Sequence, residues 1–383
     1  MPKKDEFLES IYQGEIRPRI VNVARTDFKP WHKPRKHFLR IEQWCSETKK
    51  LIKKLKPSIG SEIRYLGLPG EDLLDLRVIK GVCPKGVLLR YLGFDESFST
   101  RLNLAQHEVN SDSSIHLSSM ITNDRIENIT NPNHMAHKYI QDNAPFDVIN
   151  LDFCESITHL ARNGVIPYLE AIRTLCDIQI KKRGQPWLLF ITTRVIRDQL
   201  DTQTKQRLFE RIIENLSGNQ NFTDILSERL GLAITDLQND LSGTNPLNNE
   251  RWFDTYVLAI SKWLLNYMMG NNYRVSVQML PSYAYGVDGS SPDMISLAFY
   301  LEPSIPPRQD RSGLTRVREP EIVLPTESDL AVDLIKRVAD IENVDEKFSA
   351  DSRLKNKFIQ KSSELLAQLR YDMDAYKVFA LEE

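Results

Sequence analysis

Cysteine is scarce in this chain, and its few residues lie far apart. The sequence contains no CxxC pair, which argues against both a zinc ribbon and a disulfide framework. His134 and His137 could share one face of a helix, but no third metal ligand accompanies them at a suitable spacing. We therefore expect no metal site and a reduced, cytoplasmic protein. The cysteines are Cys45, Cys83, Cys154 and Cys176.

Long apolar runs are also missing. No stretch reaches the roughly 18 consecutive apolar residues that indicate a transmembrane helix. The first ten residues, MPKKDEFLES, lack the apolar core of a signal peptide. The sequence therefore predicts no membrane partner.

Three sequence motifs of well-known enzyme classes are absent as well. Without Gly-Lys-Ser/Thr there is no phosphate-binding loop, and without Gly-x-Ser-x-Gly there is no serine-hydrolase elbow. The lack of Gly-x-Gly-x-x-Gly argues against a nicotinamide-dependent enzyme.

The composition is that of an ordinary globular protein, but its charge is unevenly distributed. The 383 residues are 41% hydrophobic and 27% charged, with a net charge of −2. Residues 1–60 carry 15 Lys and Arg against 7 Asp and Glu, whereas residues 319–383 carry 9 against 15. The length allows one large domain or two smaller ones.

The segment from Ile63 to Asp95 has the pattern of a βαβ unit. An apolar run ends at Leu68-Pro69-Gly70, a helix-length segment follows, and a second apolar run ends at Asp95. A glycine after the first strand lets the backbone approach a ligand, and an acid after the second can accept hydrogen bonds from ribose.

The pattern of strands and helices continues along the chain. A short third strand is expected at 115–117, a fourth at 146–155 and a fifth at 186–193. Two amphipathic helices are expected in residues 195–250, followed by a strongly apolar helix at 251–269. The last two strands, 273–285 and 294–301, are joined by a turn-rich segment, which predicts an antiparallel hairpin.

These elements predict an α/β fold of Rossmann type, a mostly parallel seven-stranded sheet with an antiparallel terminal hairpin and helices on both faces. We divide the chain into four parts. They are a basic N-terminal arm (1–36), the Rossmann-like domain (37–303, with the helical insertion 195–250), a proline-rich linker (304–325) and C-terminal helices (326–383). In the last part we expect two helices, at 327–341 and at 349–379.

This order of elements resembles the class I S-adenosylmethionine-dependent methyltransferases, of which the chain looks like a divergent member. The resemblance covers roughly residues 38–303. It implies that Gly67, Pro69 and Gly70 belong to the loop that holds the methyl donor. It also implies that Asp95 binds the donor ribose and that Asp124 flanks the adenine.

The segment Asn150-Leu151-Asp152-Phe153 at the end of the fourth strand is similar to the Asn/Asp-Pro-Pro-Tyr/Phe tetrad of methyltransferases that act on amines of bases. The resemblance implies that Asn150, Asp152 and Phe153 are catalytic. Asp152 could also serve as a general base for an oxygen acceptor, or could cap the next helix.

The basic arm contains a cluster in which cations alternate with aromatic residues. Such a cluster suits phosphate contact combined with base stacking, but the arm could also be a tether packed on the main domain. The residues are Lys29, Trp31, Lys33, Arg35 and Lys36. The acidic C-terminal helices could bind a protein partner, mediate self-association or simply pack as terminal helices.

Two functions are consistent with these features. The first is a divergent S-adenosylmethionine-dependent methyltransferase, with nucleic acid as one class of acceptor. The alternative is a catalytically inactive methyltransferase-like subunit that binds or scaffolds partners within a larger complex.

Overall fold

The computed structural model describes residues 24–55, 60–97, 99–161, 164–270, 275–287, 292–303 and 325–382. Most of the predicted basic arm (1–23) and nearly all of the predicted linker (304–324) lie outside the described residues. Within these ranges, nine strands form a single sheet. They are β1 Glu62–Gly67, β2 Leu88–Phe94, β3 Met120–Thr122, β4 Val148–Asp152, β5 Trp187–Arg194, β6 Val275–Met279, β7 Tyr283–Tyr285, β8 Met294–Pro303 and β9 Glu342–Asn343.

The strands follow the order β3-β2-β1-β4-β5-β8-β7-β9 across the sheet, and β6 also pairs with β8. The first five strands are parallel, whereas β8 is antiparallel to β5 and to both β6 and β7. Because β6 and β7 pair with successive parts of β8, they occupy one position that is interrupted at residues 280–282. The sheet therefore has seven main positions, and β9 adds a two-residue extension.

Helices cover both faces of this sheet. On one face lies a helical segment that starts as α1 (Pro34–Phe38), continues through a π-helical turn (Leu39–Cys45) and ends as α2 (Ser46–Leu55). The other helices are α3 Leu74–Lys80, α4 Thr100–Asn110, α5 Met135–Asn143, α6 Pro167–Lys182, α7 Thr202–Gly218, α8 Gln220–Leu230, α9 Ile234–Ser242, α10 Asn249–Gly270, α11 Glu327–Ala339, α12 Val344–Ala350, α13 Ser352–Ala367 and α14 Met373–Leu381.

Apolar side chains form a separate core on each face. The larger core contains side chains of α5 to α11, and the second contains side chains of α1 to α4, α12 and α13. Successive residues of a strand point to opposite faces, so each parallel strand needs apolar residues on both sides. The burial of β4, in which the first four of its five residues are buried, follows from this requirement.

The predicted fold class is confirmed by the strand order and by the antiparallel position of β8. Among the described residues, every helix is too short or too polar to serve as a membrane-spanning segment.

Three local predictions need correction. The third strand is Met120–Thr122 rather than 115–117, because Ile115 makes only an isolated bridge to Leu89 and Leu117 is 98% exposed. The insertion contains three helices instead of two, since Gly231 adopts a left-handed conformation that ends α8.

The third correction concerns the segment 349–379, which is not one helix. Asp351 caps the start of α13, and Asp372 caps the start of α14. Between these two helices Arg370 has a φ of 63°, a left-handed conformation that a continuous helix does not permit. The helix is therefore interrupted before α14.

The two terminal parts of the described chain lie together. Arg25 donates its backbone N–H to the carbonyl of Arg370 at 2.8 Å, and Asp372 donates to the carbonyl of Arg25 at 2.8 Å. The Phe28 ring stacks on Tyr371 and Phe379 at centroid distances of 5.3 Å and 5.1 Å. The N-terminal segment therefore forms one layer with the C-terminal helices.

Candidate functional site

A cleft of about 840 Å³ lies at the carboxyl edge of the sheet. Its walls include residues that follow β1, β2 and β4, the edge at which α/β proteins bind their ligands. Residues of the N-terminal segment, β7, β8 and the end of α14 complete the lining. Both its size and its position are typical of a small-molecule site.

The loop after β1 forms one wall, but its two predicted glycines have different surroundings. A Cβ at Gly67 would lie 2.6 Å from Cε1 of Tyr65, so the Tyr65 ring occupies that space. A Cβ at Gly70 would meet only the Trp31 ring, at 3.9 Å. Pro69 and Gly70 line the cleft, whereas Gly67 lies outside this lining.

Asp95 lies at the end of β2, where it was predicted, and it lines the cleft. Its Oδ1 accepts hydrogen bonds from the backbone N–H of Ser97 at 2.8 Å and from the Ser97 hydroxyl at 2.5 Å. These two hydrogen bonds fix the orientation of the Asp95 carboxylate in the loop after β2.

Asp124 lies outside the lining of the cleft. Its Oδ1 accepts from the backbone N–H of Arg125 at 2.8 Å and from the Asn128 side chain at 2.6 Å. Its Oδ2 lies 3.3 Å from Nδ1 of His134. These contacts stabilise the turn after β3, and the role in adenine binding stays a prediction.

Asn150 is almost fully buried, at 1% exposure, and does not line the cleft. Its side-chain amide donates a hydrogen bond to the Tyr65 hydroxyl at 2.9 Å. Its Oδ1 has no hydrogen-bond partner among the described residues. The amide therefore belongs to a buried layer beneath the site, together with Tyr65.

Asp152 and Phe153 do line the cleft, as does Cys154 after them. The Phe153 ring packs against Tyr168 at a centroid distance of 4.5 Å, which fixes its position in the wall. The structure therefore brings Pro69, Gly70, Asp95, Asp152 and Phe153 to one cleft and leaves Gly67, Asp124 and Asn150 outside its lining.

The basic segment is a wall of the same cleft, with its cations held by other parts of the chain. Trp31, Lys33, Arg35 and Lys36 line the cleft. Lys33 donates to the carbonyl of Phe379 at 2.7 Å, and Arg35 pairs with Asp345 at 3.1 Å.

Lys29, the fifth residue of the basic cluster, is half-buried, and its backbone N–H donates to Nδ1 of His32 at 3.1 Å. Lys33 and Arg35 contact the C-terminal helices, whereas Lys36 contacts Asp152 of the main domain. Nucleic-acid binding through the cluster stays a prediction.

Lys36 is buried and forms an ion pair with the predicted catalytic acid. Its Nζ donates to Oδ1 of Asp152 at 2.5 Å and to the Tyr285 hydroxyl at 3.3 Å. Burial raises the pKa of Asp152, and Lys36 opposes that rise. Burial alone would lower the pKa of Lys36, but Asp152 and Tyr285 raise it above its usual value, so the ammonium stays charged.

A second ion pair lies next to the first. Arg40, one helical turn after Lys36, donates from Nε to Oδ1 of Asp75 at 2.6 Å and from a terminal nitrogen to the Trp31 carbonyl at 3.0 Å. Both Arg40 and Asp75 line the cleft and are less than one tenth exposed. The helical segment over the sheet thus adds two cations to the floor of the cleft.

Asp72, in the loop after β1, joins both termini to the cleft. Arg25 at 3.0 Å, His32 at 3.0 Å and Tyr371 at 2.8 Å all contact its carboxylate. Burial opposes the ionisation of Asp72, but these hydrogen bonds outweigh it and hold its pKa below the usual value. The donor-loop candidate is therefore fixed by the N-terminal segment and by Tyr371, two residues before α14.

The roles of Asp72, Asp75, Arg40 and Tyr285 in the cleft were not predicted from the sequence. One feature of the sequence could have indicated these buried ion pairs. Lys36 and Arg40 share a helix face with buried apolar residues, and a cation on such a face needs a buried anionic partner. The sequence could not identify the partners, because they lie on other elements.

Comparison with known protein families assigns nearly all of the described chain to one family. The profile of the PP_RS20740-like family matches residues 25–381. The chain belongs to this family. A search of curated proteins found none that matches the sequence.

Among solved structures, this member of the PP_RS20740-like family is similar to several methyltransferases. A putative rRNA methylase from Clostridium thermocellum is 11% identical, with a TM-score of 0.31, and the match covers 68% of this chain and 96% of that one. An O-methyltransferase from Bacillus cereus in complex with SAH is 12% identical, with a TM-score of 0.30 and coverages of 78% and 92%.

The O-methyltransferase TomG from Streptomyces achromogenes, in complex with SAM, is 8% identical, with a TM-score of 0.30 and coverages of 78% and 98%. Similarity this distant says nothing about ligand or activity. The function must be argued from the cleft itself.

Proposed function

We propose that this protein binds S-adenosylmethionine in the cleft and transfers its methyl group to a small acceptor. The observation that carries the proposal is the convergence of three strand ends on one cleft. Pro69 and Gly70 after β1, Asp95 after β2 and Asp152 at the end of β4 all line it. In α/β sheets of this kind, ligands bind outside the carboxyl ends of the strands.

The residues on the β1–β2 side fit the donor. Gly70 leaves the backbone open toward the cleft, since its added Cβ would meet nothing closer than 3.9 Å. Asp95 offers carboxylate oxygens suited to ribose hydroxyls. Glu71, which also lines this wall, offers a carboxylate for the positive charge of a sulfonium or an amino group, whereas Asp72 is already paired with Arg25 and His32.

S-adenosylmethionine supplies an electrophilic methyl group when it is bound. The chain's own contribution is to position the acceptor and to exclude water. Phe153, held by Tyr168, provides an apolar surface beside Asp152, and Tyr285 with Met294 provides another. An acceptor between these surfaces would meet the carboxylate of Asp152.

Isothermal titration calorimetry with S-adenosylmethionine and with S-adenosylhomocysteine tests the proposal. We expect saturable binding of both, and a loss of about tenfold or more in affinity for Asp95→Ala, which removes charge-assisted hydrogen bonds. Asp333→Ala is the matched control, because that carboxylate is 65% exposed and its bond among the described residues is to Lys336 on its own helix. Absence of binding at about millimolar ligand would contradict the proposal.

One observation favours the alternative, a catalytically inactive subunit. The Tyr65 ring fills the space over Gly67, and Lys36 neutralises Asp152, so both predicted motifs contact other parts of the chain. An inactive subunit that had lost the donor site would give no heat with either ligand. The same titration therefore separates the two functions.

A further inference from the structure

Lys36 and Asp152 present a matched pair of hydrogen-bonding groups to the cleft. Their side chains are 8% and 16% exposed, and both line the cleft wall. They come from different parts of the fold, α1 and the last position of β4. The N-terminal segment therefore forms part of the side of the cleft that is left for the methyl acceptor.

Stability alone does not explain this pair. A buried ion pair is often no more stable than well-packed apolar residues of the same volume, because both charges must be removed from water. Ionisable groups at the wall of a cleft are more often found where they act on a ligand. The pair is therefore a candidate for contact with the acceptor.

The contacts already made determine what the pair can still offer. Oδ1 of Asp152 accepts from Lys36, whereas Oδ2 accepts no hydrogen bond from any residue within the described ranges. The ammonium has three hydrogens, of which Asp152 and Tyr285 take two. One acceptor oxygen and one donor hydrogen thus have no hydrogen-bond partner among the described residues.

The pair favours a hydroxyl acceptor over an amine. The Asn150 amide donates to Tyr65 and is buried outside the cleft lining, so it does not reach an acceptor in the cleft. Asp152 is the remaining proton acceptor of that segment. A hydroxyl can donate its hydrogen to Oδ2 while its oxygen accepts from Lys36.

We propose that the methyl acceptor is an uncharged hydroxyl compound and that Asp152 takes its proton, with Lys36 as the positioning residue that orients Asp152. In this step the acceptor oxygen forms a bond to the methyl carbon, and the carbon–sulfur bond of the donor breaks with its electron pair moving to sulfur. The hydroxyl proton moves to the carboxylate. This inference rests on the proposed function.

Binding of three matched probes tests the inference without knowledge of the natural acceptor. The probes are para-cresol, para-toluidine and para-methylanisole, which place a hydroxyl, an amine or a methoxy group on the same ring. Each is titrated into the full chain with saturating S-adenosylhomocysteine. We expect para-cresol to bind about tenfold more tightly than para-methylanisole, the effect of one hydrogen bond to a charged group.

Substitutions of the pair should remove this preference without changing the affinity for S-adenosylhomocysteine. Lys36→Met should reduce the preference for para-cresol, and Lys36→Arg should restore most of it. The double variant Lys36→Met/Asp152→Leu removes both buried charges, so it keeps the test valid if the single variant does not fold.

Lys205→Met is the matched control. Lys205 pairs with the buried Asp240 at 2.6 Å, and neither residue lines the cleft. Substitution of Lys205 should lower the melting temperature and leave the preference among probes unchanged. If Lys36 had a purely structural role, Lys36→Met would give the same result.

Several results would overturn the inference. These are equal binding of the three probes, tighter binding of para-toluidine than of para-cresol, or no binding of any probe while S-adenosylhomocysteine binds. Failure to bind S-adenosylhomocysteine would instead contradict the proposed function itself. The two failures are therefore distinguishable.

Discussion

The ring of Tyr65 lies against Gly67, two residues later on the same face of β1. A Cβ at Gly67 would come within 2.6 Å of Cε1 and 3.1 Å of the hydroxyl oxygen of that ring. The hydroxyl in turn accepts a hydrogen bond from Asn150 on the neighbouring strand. Gly67 is therefore required by internal packing, not by the close approach of a ligand.

This relationship predicts different effects for the two glycines of the loop. Gly67→Ala should lower the free energy of unfolding by about 1–3 kcal/mol, because the Tyr65 ring must move and overpacking is costly. Gly70→Ala should have little effect on stability, since its nearest neighbour would be at ordinary contact distance. Urea unfolding of both variants measures this, and equal effects would contradict the assignment.

Part of this site could be predicted from the sequence because position along a parallel strand determines which edge a residue reaches. Asp95, Gly70 and Phe153 follow apolar runs, so their place at the carboxyl edge was predictable. Which tetrad residue faces the cleft was not predictable. It depends on the helical segment that covers Asn150 and on the Tyr65 hydroxyl that binds it.

The basic segment shows a second limit of the sequence. Lys33 contacts Phe379, and Arg35 pairs with Asp345, each more than 300 residues away along the chain. Composition indicates that a cation needs an anion or a carbonyl, but only the fold shows whether that partner is nucleic acid or the chain itself. A cluster of this kind therefore supports two opposite interpretations.

His37 should make the protein less stable as the pH falls. It is 4% exposed and packs edge-on against Phe358 of α13. Burial, together with Arg40 and Lys361, lowers the pKa of His37 to about 3. At a pH between the folded-state pKa of about 3 and the usual histidine pKa near 6.5, the unfolded chain binds one more proton at His37 than the folded chain does.

The contribution of His37 to stability is therefore complete above about pH 6.5 and declines below it by about 1.4 kcal/mol per pH unit. His37→Leu removes this contribution while it keeps an apolar contact with Phe358. We expect unfolding free energies measured at about pH 7 and about pH 5 to differ less in the variant than in the unsubstituted protein. Parallel pH profiles would contradict the assignment.

Asp72 should control how firmly the C-terminal helix α14 is held at the cleft. Asp72→Asn removes the charge that binds Arg25 and the acceptor oxygen that Tyr371 uses. Loss of one member of such a buried network costs about 3–5 kcal/mol when it leaves the partners unpaired. We expect faster amide hydrogen exchange in residues 371–381 and a lower melting temperature.

Asp374→Asn is the matched control for this experiment. Asp374 lies in the first turn of α14, but its side chain is 94% exposed. Its substitution removes only a surface pair with Lys377, which contributes little to stability. If both variants accelerated exchange to the same extent, the role assigned to Asp72 would be wrong.

Alkylation of the four thiols should report on occupancy of the cleft. Cys154 is exposed and lines the cleft, whereas burial raises the pKa of Cys83 to about 11 and those of Cys45 and Cys176 to about 12. Because the thiolate is the reactive form and must be reached by the reagent, iodoacetamide should modify Cys154 first. Burial also raises the pKa of Cys154, so the reaction should be slow compared with that of a free thiol.

Para-cresol, added with saturating S-adenosylhomocysteine, should slow this modification if it occupies the acceptor side of the cleft. Mass spectrometry of the alkylated chain gives the rate at each cysteine, and Cys154→Ser should abolish the fast phase. Because Cys154 follows Phe153 directly at the end of β4, a ligand that contacts Phe153 also limits access to the thiol. A rate at Cys154 that para-cresol leaves unchanged would place that ligand elsewhere and contradict the proposed acceptor side of the cleft.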